Sequence, residues 1–182
     1  MKWFDGLGVG LWNMWLYSLF TVAVMYLPLI FLPRDKVMRF ARFPMETLPR
    51  KIVFYLFLAV YAVILIFPAW APIDNGILFV IGSCIFGAAI VLWVIAFINF
   101  MSPPADKLVT GGMYSVSRNP MYVSETLVFL GMGIAGASFP MVTLSVIYAG
   151  LAHLITLGEE KALAKQYGAE YDTYRRSVGR YF

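Results

Sequence analysis

An all-α polytopic membrane protein with about five transmembrane helices is what this 182-residue sequence predicts. Three observations carry the prediction. Hydrophobic residues make up 61% of the chain, while only 13% are charged, about half the ~25% of a soluble domain. Five apolar runs follow one another along the chain, most of them long enough to cross a bilayer. The basic residues cluster between alternate runs, as membrane topology requires.

The first run is about Leu11 to Leu32, closed by Pro33 and Arg34-Asp35-Lys36. It is too long for a signal peptide and has no small-residue cleavage site, so it reads as a span. The second is about Ile52 to Trp70, and the third about Gly76 to Met101, closed by Ser102-Pro103-Pro104. The fourth, about Met121 to Ala137, and the fifth, about Pro140 to Leu157, are separated only by Ser138 and Phe139 and predict a tight helical hairpin. After the fifth run, Leu163, Tyr167 and Tyr171 recur at helical spacing, which predicts a cytosolic amphipathic helix continuing the span. Trp12, Trp15, Trp70 and Trp93 fit membrane interfaces and packing. The chain, 1–182, reads as a single membrane domain. Residues 1–101 hold three N-terminal spans, and 102–182 hold a loop, the hairpin and the C-terminal helix.

Thirteen of the fourteen basic residues fall in the segments 33–51, 102–120 and 158–182; only Lys2 lies on the other side. The first of these segments contains Arg34, Lys36, Arg39, Arg42, Arg50 and Lys51. The positive-inside rule then puts the N-terminus outside and the C-terminal end in the cytosol. The net charge of +4 is accounted for by topology, so it does not point to nucleic acid. One cysteine, Cys84, excludes an internal disulfide or a thiolate metal cluster.

Polar residues concentrate after the third run. Residues 106–122 read DKLVTGGMYSVSRNPMY. Gly111-Gly112 allows backbone conformations closed to other residues and lets a ligand approach the main chain. Pro120 opens the fourth helix and biases Asn119 away from helical geometry, so Arg118 and Tyr122 flank a rigid corner. Glu125 lies one turn inside the fourth span, where a carboxylate is costly and needs a partner. His153 is the only histidine, and without a companion ligand it makes no zinc site. It shares a helical face with Glu160, seven positions later. Adjacent Glu159 and Glu160 point about 100° apart, so only one can aim squarely into a pocket.

The segment LVTGGMYSVSRNPMY, the hairpin, Glu159-Glu160, and then Tyr167-Gly168, Tyr171, Tyr174, Val178 and Arg180 together resemble one family of membrane methyltransferases. That family contains isoprenylcysteine carboxyl methyltransferases and phospholipid N-methyltransferases. The resemblance spans about 75 residues, the C-terminal two-fifths of the chain. It implies S-adenosylmethionine as methyl donor and a lipophilic acceptor, an isoprenylcysteine-like carboxylate or a lipid amine, reached from the bilayer. It also implies that Lys107, Leu108, Val109, Gly112 and Tyr114 line the donor site, with Arg118, Asn119, Pro120 and Tyr122 as its corner. Glu159 or Glu160 would meet the donor's polar groups. Asn119 stands where the carboxyl methyltransferases usually have His, which weakens the prenylcysteine reading.

Methyl transfer from a sulfonium needs alignment and exclusion of water more than a covalent intermediate. A Glu suits the donor's ammonium, Arg118 a carboxylate, and Tyr114 or Tyr122 the sulfonium. Glu125, Glu160 and His153 are the candidate bases, and Arg118, Glu160, Glu125 and Tyr122 form the expected catalytic group. Because Glu160 lies on the His153 face, it is the expected stronger donor ligand of the two glutamates. Two other classes compete. Sterol-type membrane reductases look similar in the C-terminal hairpin, yet the sequence shows no dedicated cluster for a 2′-phosphate. A small transporter should concentrate ionisable residues at mid-membrane, whereas here they gather at one face.

Overall fold

The structure, a computed structural model, describes residues 13–41, 43, 46–71, 73 and 76–182. Lys2, Leu11, Trp12 and Arg42 lie outside the described residues. Among the described residues there are seven α-helices and no strand. In chain order they are α1 (Trp15–Tyr26), α2 (Arg34–Phe40), α3 (Leu48–Ile66), α4 (Ile77–Met101), α5 (Pro120–Ala135), α6 (Phe139–Tyr167) and α7 (Ala169–Ser177).

Three helical segments are long and apolar enough to cross a membrane: Leu48–Trp70, Ile77–Met101 and Phe139–Tyr167. Two apolar segments are shorter, Trp15–Phe31 and Pro120–Ala135. In the first of these, the chain tightens after α1 into a 3₁₀ helix over Leu27–Phe31, with Pro28 in its first turn. Two differences from the sequence reading have local causes. The segment between α1 and α3 carries the short helix α2, with Pro33 before its first residue and Asp35 in its first turn. The C-terminal helix is also two helices rather than one. Gly168 adopts φ +51°, which ends α6 and turns the chain into α7.

The hairpin forms as expected, with its turn at 136–138. Ser138 donates its N–H to Gly133 O at 2.9 Å, and its hydroxyl accepts from Met141 N at 3.4 Å to cap α6. Ala137 takes φ +46° to close the turn. α5 packs chiefly on α4 and then on α6, and α3 packs on α6. Missing side chains allow the α4–α5 approach. A Cβ on Gly82 would collide with the backbone of Ala135, and one on Gly131 would lie 2.6 Å from Phe86 N. Gly133 plays the same part inside the hairpin, against Val142.

An aromatic cluster fixes α3 against that pair. Tyr148 of α6 meets Phe129 of α5 edge-on at 4.8 Å and Phe57 of α3 at 5.1 Å. α1 joins through Tyr17, which meets Phe86 at 4.7 Å and shares a 2.6 Å hydrogen bond with Ser83. α2 lies against the C-terminal end of α4. Lys36 donates to Met101 O, while Arg39 donates to Pro104 O at 3.0 Å and Lys107 O at 2.7 Å. Cations at a helix C-terminus satisfy its open carbonyls and its dipole. Trp70 is exposed at a span end; Trp93 is buried and stacks on Phe97 at 5.0 Å.

The α4–α5 contact yields a direct test. Gly131→Ala should lower stability by about 1–3 kcal/mol through overpacking. Gly87→Ala, with nothing within 4 Å of the new methyl, should leave the melting temperature in detergent unchanged or slightly higher. Equal melting temperatures for both variants would mean that close approach at Gly131 is not what holds α4 and α5 together.

Candidate functional site

A single carboxylate gathers the polar corner. Glu160, near the end of α6, receives the Arg118 guanidinium at 3.1 Å and a paired set of bonds from Arg180 at 3.0 and 2.9 Å. Asn119 Nδ2 approaches the same carboxylate at 3.4 Å. Arg118 and Glu160 keep only 10% and 13% of their side-chain surface exposed, so this is a largely dry ion cluster. The hydrogen bonds that Arg180 donates to Glu160 raise its guanidinium pKa further still.

The C-terminal tail completes the corner. Arg118 N–H donates to Gly179 O at 3.0 Å, and Asn119 Nδ2 donates to Arg180 O at 3.2 Å. Arg118 also reaches Arg175 O at 3.2 Å, and the Tyr174 hydroxyl donates to Tyr114 O at 2.6 Å. Pro120 starts α5 and leaves Asn119 at φ −134°, ψ 52°, which turns the chain between Arg118 and Tyr122.

Beside this corner lies a cavity of about 800 Å³, within the range typical of small-molecule sites. Leu108, Val109, Tyr114, Arg118, Asn119, Tyr122, Glu125, Glu159 and Glu160 all line it. Lys107, Gly112 and Pro120 are not among its lining residues. Each of these three has a structural part of its own. Lys107 offers its carbonyl to Arg39, and Pro120 is buried in the first turn of α5. Gly112, at φ +61°, has no Cβ because the Asn99 side chain occupies that space; Asn99 Oδ1 accepts from Met113 N at 2.8 Å.

The two adjacent glutamates diverge as helical geometry requires. Glu159 accepts a 2.9 Å hydrogen bond from Tyr122 on the cavity wall, and no cation among the described residues pairs with it. Glu160 does share a face with His153, but that face meets the C-terminal tail. His153 Nδ1 lies 2.8 Å from the Tyr181 hydroxyl, and His153 does not line the cavity. Glu125 does not reach Arg118. It accepts from the Tyr148 hydroxyl and lines the cavity deeper along α5.

Sequence reasoning passed over several residues here. Arg39 lines the cavity and sits 4.7 Å above the Phe100 ring, yet in the sequence it looks like any cytosolic topology charge. Tyr61 and Tyr148 gather around Glu125 from α3 and α6, and no local spacing links them. Arg180 was visible in the C-terminal motif without a role. Two polar atoms at the corner remain buried without a partner, Arg118 Nε and the Tyr171 hydroxyl. Burial pushes the Tyr171 phenol up to about 12 and raises Tyr114 further, so both stay protonated hydrogen-bond donors.

Among the described residues, a helical bundle with membrane-length apolar segments encloses a large cavity with carboxylates on its wall. Residues 76–170 match the phospholipid methyltransferase family, and the chain belongs to that family. It is therefore a methyltransferase of membrane type. The matched region runs from α4 through α6, so α1 to α3, most of α7 and the tail lie outside it. A comparison with curated proteins finds no match.

The ion cluster carries its own prediction. Glu160→Ala strands Arg118 in a dry site and should lower stability by about 3 kcal/mol, the usual order for breaking a buried pair. Glu159→Gln should leave the melting temperature near that of the parent. Thermal unfolding in detergent reads both, and an unchanged melting temperature for Glu160→Ala would deny the cluster its structural part.

Proposed function

We propose that the chain transfers a methyl group from S-adenosylmethionine to a lipophilic acceptor, with the donor held at the polar end of the cavity. The observation that carries this reading is the Glu159–Tyr122 pair. It is a carboxylate on the wall of a large cavity, beside an arginine whose Nε–H lacks a partner. The fit to the donor is chemical. An amino-acid end needs an acceptor for its ammonium and donors for its carboxylate. Glu159 offers the first, and Arg118 Nε and the Tyr171 hydroxyl offer the second. When bound, S-adenosylmethionine supplies an electrophilic methyl group on a sulfonium.

The chain's own residues then orient and shield. Leu108 and Val109 supply apolar wall, and Tyr114 and Tyr122 offer ring faces to positive charge. Glu160 acts at one remove, since its oxygens are engaged by Arg118 and Arg180 and it holds the guanidinium in place. This reverses the order expected from the sequence, with Glu159 as the donor ligand and Glu160 as its support. The apolar end of the cavity, walled by Met25, Leu29, Phe57 and Leu58, suits the chain of a lipid or isoprenoid entering from the bilayer.

The proposed setting is five spans in one domain, with α1 and α5 counted as short ones. The N-terminus is outside and the C-terminus cytosolic. Support comes from the basic residues on one side and from the length of α6. Its 29 residues extend about 43 Å, against a hydrocarbon core of about 30 Å. If Phe139 sits at the outer boundary, Glu159 and Glu160 emerge at the inner one, where a soluble donor can reach them.

Calorimetric titration with S-adenosylmethionine and S-adenosylhomocysteine tests the reading. Saturable one-site binding is expected, weakened about tenfold or more by Glu159→Gln in a protein with the parent melting temperature. Absence of binding to either compound by folded protein would overturn it. Equal affinity in Glu159→Gln would remove Glu159 from the donor site.

A further inference from the structure

Another carboxylate of the cavity stands apart from the polar corner. Glu125 follows Tyr122 by three positions on α5, so both face the same side, with Glu125 one turn deeper. Phenols surround it. Tyr148 donates to it directly, and Tyr61, beside it, accepts from Tyr26 at 2.8 Å. Hydroxyls satisfy an oxygen without neutralising its charge, and no Lys or Arg among the described residues pairs with Glu125. Tyr26, Phe57, Tyr61 and Trp93 line the same cavity. Aromatic faces around a buried carboxylate attract a cation from two directions.

Anions fare differently there. Among the described residues, the cations that line the cavity are Arg39 and Arg118; Arg39 is engaged by backbone carbonyls and the Phe100 ring, and Arg118 is held by Glu160 with its one unpartnered atom, Nε, given to the donor's carboxylate in the reading above. A phosphate or carboxylate next to the bound group would face Glu125 on one side and Glu159 on the other. Like charges in a low-dielectric site repel strongly.

We propose that the Glu125 end of the cavity is a subsite for the ammonium head of an amine amphiphile with no anionic group beside its nitrogen. The chain of that amphiphile lies along Met25, Leu29 and Leu58. The inference rests on the methyl-transfer reading for its meaning, because it narrows the acceptor to a simple lipophilic amine, whose ammonium would pass a proton to Glu125 before the free nitrogen takes the methyl group and the donor leaves as its thioether. It excludes an isoprenylcysteine carboxylate and a phosphate-bearing head.

Thermal unfolding in maltoside detergent tests it with four probes of equal chain length: dodecylamine, dodecanol, dodecanoic acid and the lysophosphatidylethanolamine. Dodecylamine should raise the melting temperature saturably, and the other three should not. Glu125→Gln should weaken the amine about tenfold or more while keeping the parent affinity for S-adenosylhomocysteine. If that variant does not fold, the ranking of the four probes on the parent protein decides alone. A fatty acid or lysophospholipid that binds as well as the amine overturns the inference, as does an unchanged amine affinity in Glu125→Gln. Donor binding without amine binding would sink this inference and leave methyl transfer standing; amine binding without donor binding would do the reverse.

Discussion

Both oxygens of Glu160 are claimed by arginines from distant parts of the chain, and the polar end of the molecule is organised by that fact. Arg118 comes from the loop before α5, Arg180 from the C-terminal tail, and the carboxylate itself from α6. Removing a cation and an anion from water, as for Arg118 and Glu160, is costly unless the geometry is good and the remaining donors are satisfied. Here the cost is offset by paired bonds from Arg180, by Asn119, and by backbone bonds that bind the loop to residues 179 and 180. The cluster also sets the charge of its surroundings. It ties up Arg118 and Arg180, so Glu159 and Glu125 face the cavity without a cationic partner among the described residues.

Depth is the second constraint. α4 and α5 approach closely because Gly82 and Gly131 leave room for backbone, and the three-residue turn at 136–138 ties α6 directly to α5. With its start fixed in this way, α6 is long enough for its glutamates to reach the level of Arg118 and Tyr122. Gly168 then breaks the helix. A straight continuation would carry Tyr171 and Tyr174 away from the corner; the break instead folds α7 back, so both are buried and Tyr174 reaches the carbonyl of Tyr114.

What the sequence made visible follows the range of each interaction. Apolar runs, the proline at the start of α5 and the hairpin turn are local features, and their elements appear close to where the pattern placed them. Angular divergence of Glu159 and Glu160 is equally local. Their destinations were not readable, because those depend on which segment packs against each face. The shared face of His153 and Glu160 is real, but its neighbours, Tyr181 and Arg180, arrive from a tail whose fold no periodicity reveals. Gly112 teaches the same lesson. A glycine pair in a loop suggests ligand approach, while the space beside Gly112 is filled by Asn99 from the preceding helix. Arg39 was hidden for another reason, since a topology signal and a cavity wall use the same residue type.

The family match and the cavity do not cover the same residues, and the difference has a physical meaning. Within 76–170 lie Arg118, Tyr122, Glu125, Glu159 and Glu160, the ionisable groups next to the polar corner. Outside it lie Met25, Tyr26, Leu29, Arg39, Phe57 and Tyr61, which form much of the remaining wall. A site divided in this way can keep one set of polar contacts while the shape and polarity of the rest vary with α1 to α3. Glu125 stands at the boundary between the two parts. Its backbone belongs to α5 and its hydrogen-bond donor, Tyr148, to α6, while Tyr61 comes from α3. The environment of that carboxylate is therefore set jointly by the matched region and by helices that lie outside it.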